Sequence, residues 1–202
     1  MQLRYSPTSP YVRKVLITAL ETGTSNFFET ISTGPWDSET NLGQTNPLCK
    51  VPALVLDSGE ALFDSPVICE YLDSLHQGRK VFPQSGMQRF MALRLQALGD
   101  GIMDAAILRR LEAARPQAQQ SPDWLARQQR AVLRGLDDMH GHTQDLQGEP
   151  HIGSITAACA LAYLDFRFAD EPWRPGREAL SDWFEDWCQR PSMADTQPPA
   201  GA

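Results

Sequence analysis

A chain of 202 residues that is 42% hydrophobic can bury a sizeable core, as one large domain or two small ones. Its 25 acidic residues outnumber 18 lysines and arginines, and the formal charge of −7 argues against a general nucleic-acid binder and against attraction to anionic membranes. Four widely spaced cysteines without a CxxC pair indicate neither a zinc site nor a disulfide scaffold, and no apolar run marks an export signal or membrane span, so a cytoplasmic protein with reduced thiols and no metal is expected.

Leu3 and Tyr5 alternate with polar neighbours and predict a short first strand. From Pro10 the period becomes helical, with Val12, Val15, Leu16, Ala19 and Leu20 on one face and Gly23 where a helix stops. Residues 27–31 read as a second strand, which completes a β-α-β unit whose crossover helix implies parallel pairing. Residues 32–50, rich in Thr, Ser, Gly, Asn and Pro, predict an irregular connection with one short helix. Apolar runs at 53–56 and 61–63 flank the turn signal Asp57-Ser58-Gly59, and Ser65-Pro66 opens another helix. After Gln77-Gly78 the texture is wholly helical, at 87–114, 123–146, 152–168 and 178–190, with prolines between. The order predicts two domains: residues 1–77, β-α-β then β-β-α, and residues 86–202, all α.

In a module of this topology, chemistry belongs at the turn between the first strand and first helix, where unsatisfied N–H groups and the positive helix end face outward. Ser9-Pro10-Tyr11-Val12 fills that turn. Ser9 is there either a plain N-cap ahead of Pro10 or a hydroxyl that acts on a ligand, and both roles use one geometry. Glutaredoxins place C-P-Y-C at the equivalent turn; this chain has no sulfur there, and so lacks what dithiol redox chemistry needs.

The motifs "TSPYVRKV" (8–15), "NPLCKVPAL" (46–54), "LFDSPVICEYL" (62–72) and "RPSMADTQPP" (190–199), in this order, resemble the cytosolic glutathione transferases, in their bacterial serine-type group. The resemblance covers nearly the whole chain. It implies a thioredoxin-like N-terminal domain followed by an all-helical bundle, a homodimer, glutathione as co-substrate, and conjugation of the glutathione thiolate to small hydrophobic electrophiles. Residue by residue, it implies that Ser9 donates to the glutathione sulfur. The Val51 backbone, ahead of a cis peptide to Pro52, pairs with the cysteinyl part. Lys50 approaches the glycyl carboxylate, while Asp64 and Ser65 take the γ-glutamyl ammonium and carboxylate. Tyr11 and the helical face Met103, Ile107 and Arg110, at i, i+4 and i+7, are expected at an electrophile site over Ser9 between the domains.

A blander reading stands beside each assignment: Lys50 as a solvated lysine, Asp64-Ser65 as a capping pair, Met103 and Ile107 as core, Arg13 as structural, Trp36 as a loop anchor. Two features depart from the family pattern. Cys49 stands where glycine is usual, and "HIGSITAACALAYLDFR" lacks the aspartate of the usual capping box. Two rival functions follow: a glutathione-dependent thiol-disulfide or reductive enzyme using Cys49, and a non-catalytic glutathione-binding or interaction protein.

Overall fold

The computed structural model describes residues 1–37 and 39–201; Ser38, in the irregular connection, and Ala202, the last residue of the expected helical domain, lie outside the described residues. Strands β1 (Gln2–Tyr5), β2 (Glu29–Ser32), β3 (Ala53–Val55) and β4 (Ala61–Leu62) form one sheet in the order β2-β1-β3-β4. β1 and β2 run parallel, with Gln2 opposite Glu29 and Tyr5 opposite Ser32, because helix α1 (Pro10–Thr22) crosses over between them. The other pairings are antiparallel, Arg4 opposite Ala53 and Leu54 opposite Leu62. Gly23 ends α1 at φ 70°, a left-handed position that its missing Cβ permits, and its N–H turns back to helix carbonyls.

Three details differ from the sequence expectation. The helix expected at 123–146 ends at Gly141 and is followed by a 3-10 turn at Thr143–Leu146. Residues Ser25–Phe27 form a 3-10 turn, so the second strand begins at Glu29. Leu20 is 37% exposed, because α1 turns its Val12, Val15 and Ala19 face inward together with Thr18, which donates to Cys69 Sγ at 3.4 Å on helix α3 (Ser65–Ser74). The short helix of the connection is α2 (Leu42–Thr45).

The remaining helices are α4 (Gly86–Ala113), α5 (Pro122–Gly141), α6 (Ile152–Arg167), α7 (Glu178–Cys188) and α8 (Pro191–Ala194). The chain divides into two compact units: Met1–Ser85 with Pro150–Ile152 and Arg190–Ala202, and Gly86–Glu149 with Gly153–Gln189. The final segment groups with the first unit because Arg190 binds both carboxylate oxygens of Glu21 on α1, at 2.9 and 2.7 Å, and Ser192 Oγ donates to the same carboxylate at 2.5 Å. Burial alone would raise the Glu21 carboxyl; hydrogen bonds from Arg190 and Ser192, with the charges of Arg190 and Arg79, hold it below its ordinary value.

From Gly153 on, α6 belongs to the second unit and is buried on all sides through residue 164, with Ile155, Ala158 and Leu161 fully buried. Close approach of α4 to α6 depends on Gly99. A Cβ there would lie 2.9 Å from Thr156 Cγ2 and 3.0 Å from the Thr156 carbonyl oxygen, so backbone must move to admit it. Gly99→Ala is expected to lose roughly 1–2 kcal/mol, overpacking outweighing the gain in helix propensity. Gly101→Ala, whose Cβ would meet nothing within 4 Å, is expected to be stabilising instead. Urea midpoints at unchanged m-value measure both.

Candidate active site

The sheet register decides which loops meet. With Arg4 opposite Ala53, the end of β1 lies beside the start of β3, and with Leu54 opposite Leu62, the end of β4 lies there too. Residues 6–9, 49–52 and 63–65 therefore emerge at one end of the sheet. The topology thus gathers Ser9, Lys50, Val51, Pro52, Asp64 and Ser65, which are far apart in sequence.

At the first loop, the Ser9 N–H donates to the Ser6 carbonyl at 3.1 Å and closes a turn that leads into α1. Ser9 is the N-cap: its φ and ψ are −80° and 121°, its Oγ accepts the Val12 N–H at 3.3 Å, and Pro10 occupies the first turn. A hydroxyl has one proton and two acceptor lone pairs, so capping leaves the proton of Ser9 free to donate elsewhere. Ser9 is half-buried, and beneath its helix start Val12, Leu42 and Val51 form a buried cluster against which Tyr5 and Leu16 pack.

The second loop is organised by Asn46, which is 1% exposed. Its side-chain amide donates to the Lys50 carbonyl at 2.9 Å, and its side-chain oxygen accepts the Leu48 N–H at 3.0 Å. Sequence reading did not single Asn46 out as a site residue; the Asn46-Pro47 turn signal was the only pointer to it. The Val51–Pro52 peptide is cis, both residues are buried, and Lys50 is exposed. Cys49 is exposed with φ 51°, in the left-handed region that costs a side chain roughly 1–2 kcal/mol, which is a physical reason for glycine at that place.

At the third loop, Ser65 is 1% exposed and opens α3, with Pro66 beside it. Asp64 is exposed, follows a cis Phe63–Asp64 peptide, and as N-cap makes no side-chain capping bond. The plain capping-pair reading therefore does not account for Asp64.

Tyr11, half-buried, belongs to the first unit; Met103, Ile107 and Arg110 belong to α4 in the second. Met103 is wholly buried, Ile107 is half-buried and Arg110 is exposed. Burial pushes the nearby Tyr163 phenol up, and the charges of Arg110 and Arg167 offset part of that rise. Trp36 is 78% exposed, so it does not act as a buried anchor of its loop. Among the described residues no group of three His, Cys, Asp or Glu side chains is placed to hold a metal ion.

The sequence profile of the glutathione S-transferase N-terminal domain matches residues 8–75, and that of the C-terminal domain matches residues 122–186. An uncharacterized GST-like protein of Escherichia coli K12, YibF, is 40% identical across 98% of this chain and 99% of its own. The chain belongs to the glutathione S-transferase family.

Solved members of the family have the same fold. A glutathione transferase family member from Pseudomonas fluorescens Pf-5, crystallised with bound glutathione, is 41% identical with a TM-score of 0.94, over 98% of this chain and 99% of that one. The same organism's family member with bound S-(propanoic acid)-glutathione is 40% identical, TM-score 0.91, over 99% of this chain and 100% of that one. A glutathione S-transferase from Methylobacillus flagellatus KT with glutathione bound is 32% identical, TM-score 0.93, over 98% and 99%. The expected architecture, a thioredoxin-like N-terminal domain with a helical C-terminal one, is thereby established for this transferase-family chain.

Proposed function

We propose that this chain is a glutathione transferase in which Ser9 holds the glutathione sulfur as thiolate for attack on a small hydrophobic electrophile. The observation that carries the reading is the Ser9 hydroxyl. It caps α1 through an oxygen lone pair, at 3.3 Å from the Val12 nitrogen, and keeps its proton for a second partner at the positive end of the helix. Holding a thiol two units below an ordinary value near 8.5 requires about 2.7 kcal/mol. A hydrogen bond to the ionised sulfur contributes about 1.5–3 kcal/mol, and the helix end about 0.3–2 kcal/mol. The combined range of the two brackets that requirement, and the account needs no metal ion.

The thiol proton goes to solvent. A sulfur electron pair then forms the carbon–sulfur bond, and the electrons of the bond that breaks leave with the displaced group or, in an addition, reside on the adjoining carbon until it is protonated. In this reading Lys50 meets the glycyl carboxylate, the Val51 backbone pairs with the cysteinyl part, Ser65 at the start of α3 takes the γ-glutamyl carboxylate and Asp64 its ammonium. Tyr11, Ile107 and Arg110 are assigned to the electrophile, and Met103, wholly buried, to the core. The S-(propanoic acid)-glutathione held by the Pseudomonas relative is a thioether, the bond type this reaction forms.

The protein is read as cytoplasmic, in keeping with four free cysteines, and as a homodimer.

Ultraviolet titration of protein-bound glutathione, alongside turnover with an activated chloronitrobenzene, tests the reading. A thiol that titrates at its free value, with no turnover, overturns it. Ser65→Ala is expected to raise the glutathione Kd by about tenfold or more, since it removes a hydrogen bond to a charged group. Calorimetric titration measures that shift.

A further inference from the structure

The C-terminal segment does more than close the first unit. Arg13, on α1, lies one helical turn after Ser9, and its backbone N–H donates to the Ser9 carbonyl at 3.0 Å. Its guanidinium reaches the far end of the chain: Nη2 donates to the Met193 carbonyl at 3.0 Å, and Nε to Thr196 Oγ1 at 3.3 Å. Thr196 in turn donates to the Ser192 carbonyl at 2.7 Å, and Ser192 and Arg190 grip Glu21. Residues 190–196 are thus fastened to α1 at two points eight residues apart, which is about 12 Å along the helix axis. All of these residues belong to one compact unit.

We infer that this segment is a splint for the Ser9 turn and that Arg13 is a positioning residue for the thiolate. The inference rests on the role of Ser9 proposed above. A functional group must be held within about 0.5 Å of its working place, and the single capping bond to Val12 fixes the Ser9 hydroxyl at one point only. The first turn of α1 carries Ser9, and Arg13 ties that turn to the tail. Glu21 fastens the opposite end of the helix, so its loss loosens the tail without freeing the Ser9 turn.

The test compares three variants by the titration of bound glutathione, the separation of kcat from KM, and thermal unfolding. Arg13→Met is expected to raise the apparent thiol pKa by about one unit, a tenfold loss of thiolate below it, with KM for glutathione nearly unchanged and the deficit closing at alkaline pH. Arg13→Lys restores the charge and one donor, and is expected to restore part of the shift. Glu21→Gln is expected to lower Tm while moving the thiol pKa much less. If Arg13→Met leaves the thiol pKa and kcat in place, or if Glu21→Gln at equal loss of Tm shifts them as far, the splint has no positioning role and the inference fails. Should Arg13→Met not fold, Thr196→Val removes one acceptor of the same guanidinium without touching α1, and carries the same prediction in direction; an unmoved thiol pKa there equally refutes it. Ser9→Ala run in parallel separates the two claims: if that variant leaves the thiol pKa unmoved, the role of Ser9 itself is wrong, whereas a shift in Ser9→Ala without one in the Arg13 or Thr196 variants overturns only the splint.

Discussion

Ser9→Ala is expected to lower kcat/KM at neutral pH by about ten- to a hundredfold, the loss of roughly 1.5–3 kcal/mol of hydrogen bonding to the sulfur anion. The sign of the pH dependence follows. A bound thiol with a lowered pKa is ionised at neutral pH; removing the donor raises that pKa, so the variant falls behind below it and catches up above it. A stopped-flow pH profile shows the deficit closing in alkali if the lost group stabilises thiolate, and a constant deficit if it does not. Because Ser9 also accepts the Val12 N–H, the same substitution destabilises α1 by about 0.5–2 kcal/mol. Ser9→Gly separates the effects: glycine as N-cap costs only a few tenths of a kcal/mol, and it accommodates the backbone at −80° and 121°. A glycine variant that keeps its Tm and loses the low thiol pKa assigns the hydroxyl to chemistry; one that keeps both returns Ser9 to capping alone.

How far the sequence reaches can be seen residue by residue. The parallel β1–β2 pair and the hairpin of β3 and β4 were legible because they depend on local signals: a change of period at Pro10, a stop at Gly23, a turn at Asp57-Ser58-Gly59. That residues of three loops act together was implied by the family resemblance alone; the registers of β1, β3 and β4 give the physical reason those loops emerge at one end of the sheet. What stayed hidden depends on long-range partners. Arg13 looks like any charged helix residue until Met193 and Thr196 arrive from 180 and 183 positions away. Asn46 turns from a loop residue into an organiser only when the chain folds back so that the Lys50 carbonyl meets its amide. The positive φ at Cys49 is a backbone property that a thiol side chain gives no hint of. Leu20 was misplaced because α1, packed against α3 and α8, buries Lys14 and Thr18 ahead of an aliphatic side chain on its outer edge.

Asp73 is another such residue, and its removal is expected to cost more stability than any other change considered. Near the end of α3 it has the spacing of a surface carboxylate, yet it is 4% exposed. Its two oxygens accept the buried N–H groups of Val81 at 2.9 Å and Phe82 at 3.2 Å, and His76 Nε2 lies 3.1 Å away. Lys80 adds bonds from its ammonium to the carbonyls of Asp73 and His76, which folds residues 73–82 into one knot. The knot reaches further: the Val81 carbonyl accepts the Ile152 N–H at 2.9 Å, and Arg79 donates to the Pro150 carbonyl at 2.8 Å. These bonds hold Pro150, just ahead of α6, and Ile152, the first residue of that helix, whose sequence lacks the capping aspartate. Asp73→Ala leaves two buried N–H groups without acceptors, at about 1–3 kcal/mol each, so a loss of roughly 2–6 kcal/mol is expected. Against a total stability of about 5–15 kcal/mol, this can leave the protein partly unfolded at growth temperature. Asp73→Asn keeps one acceptor oxygen and is expected to fall between. Chemical denaturation measures the loss, and hydrogen exchange at the Ile152 amide locates it. Faster exchange there in both variants, in the order of their stability, confirms that one carboxylate on α3 secures the start of α6; unchanged exchange at Ile152 despite a lowered midpoint would confine its role to the 73–82 turn.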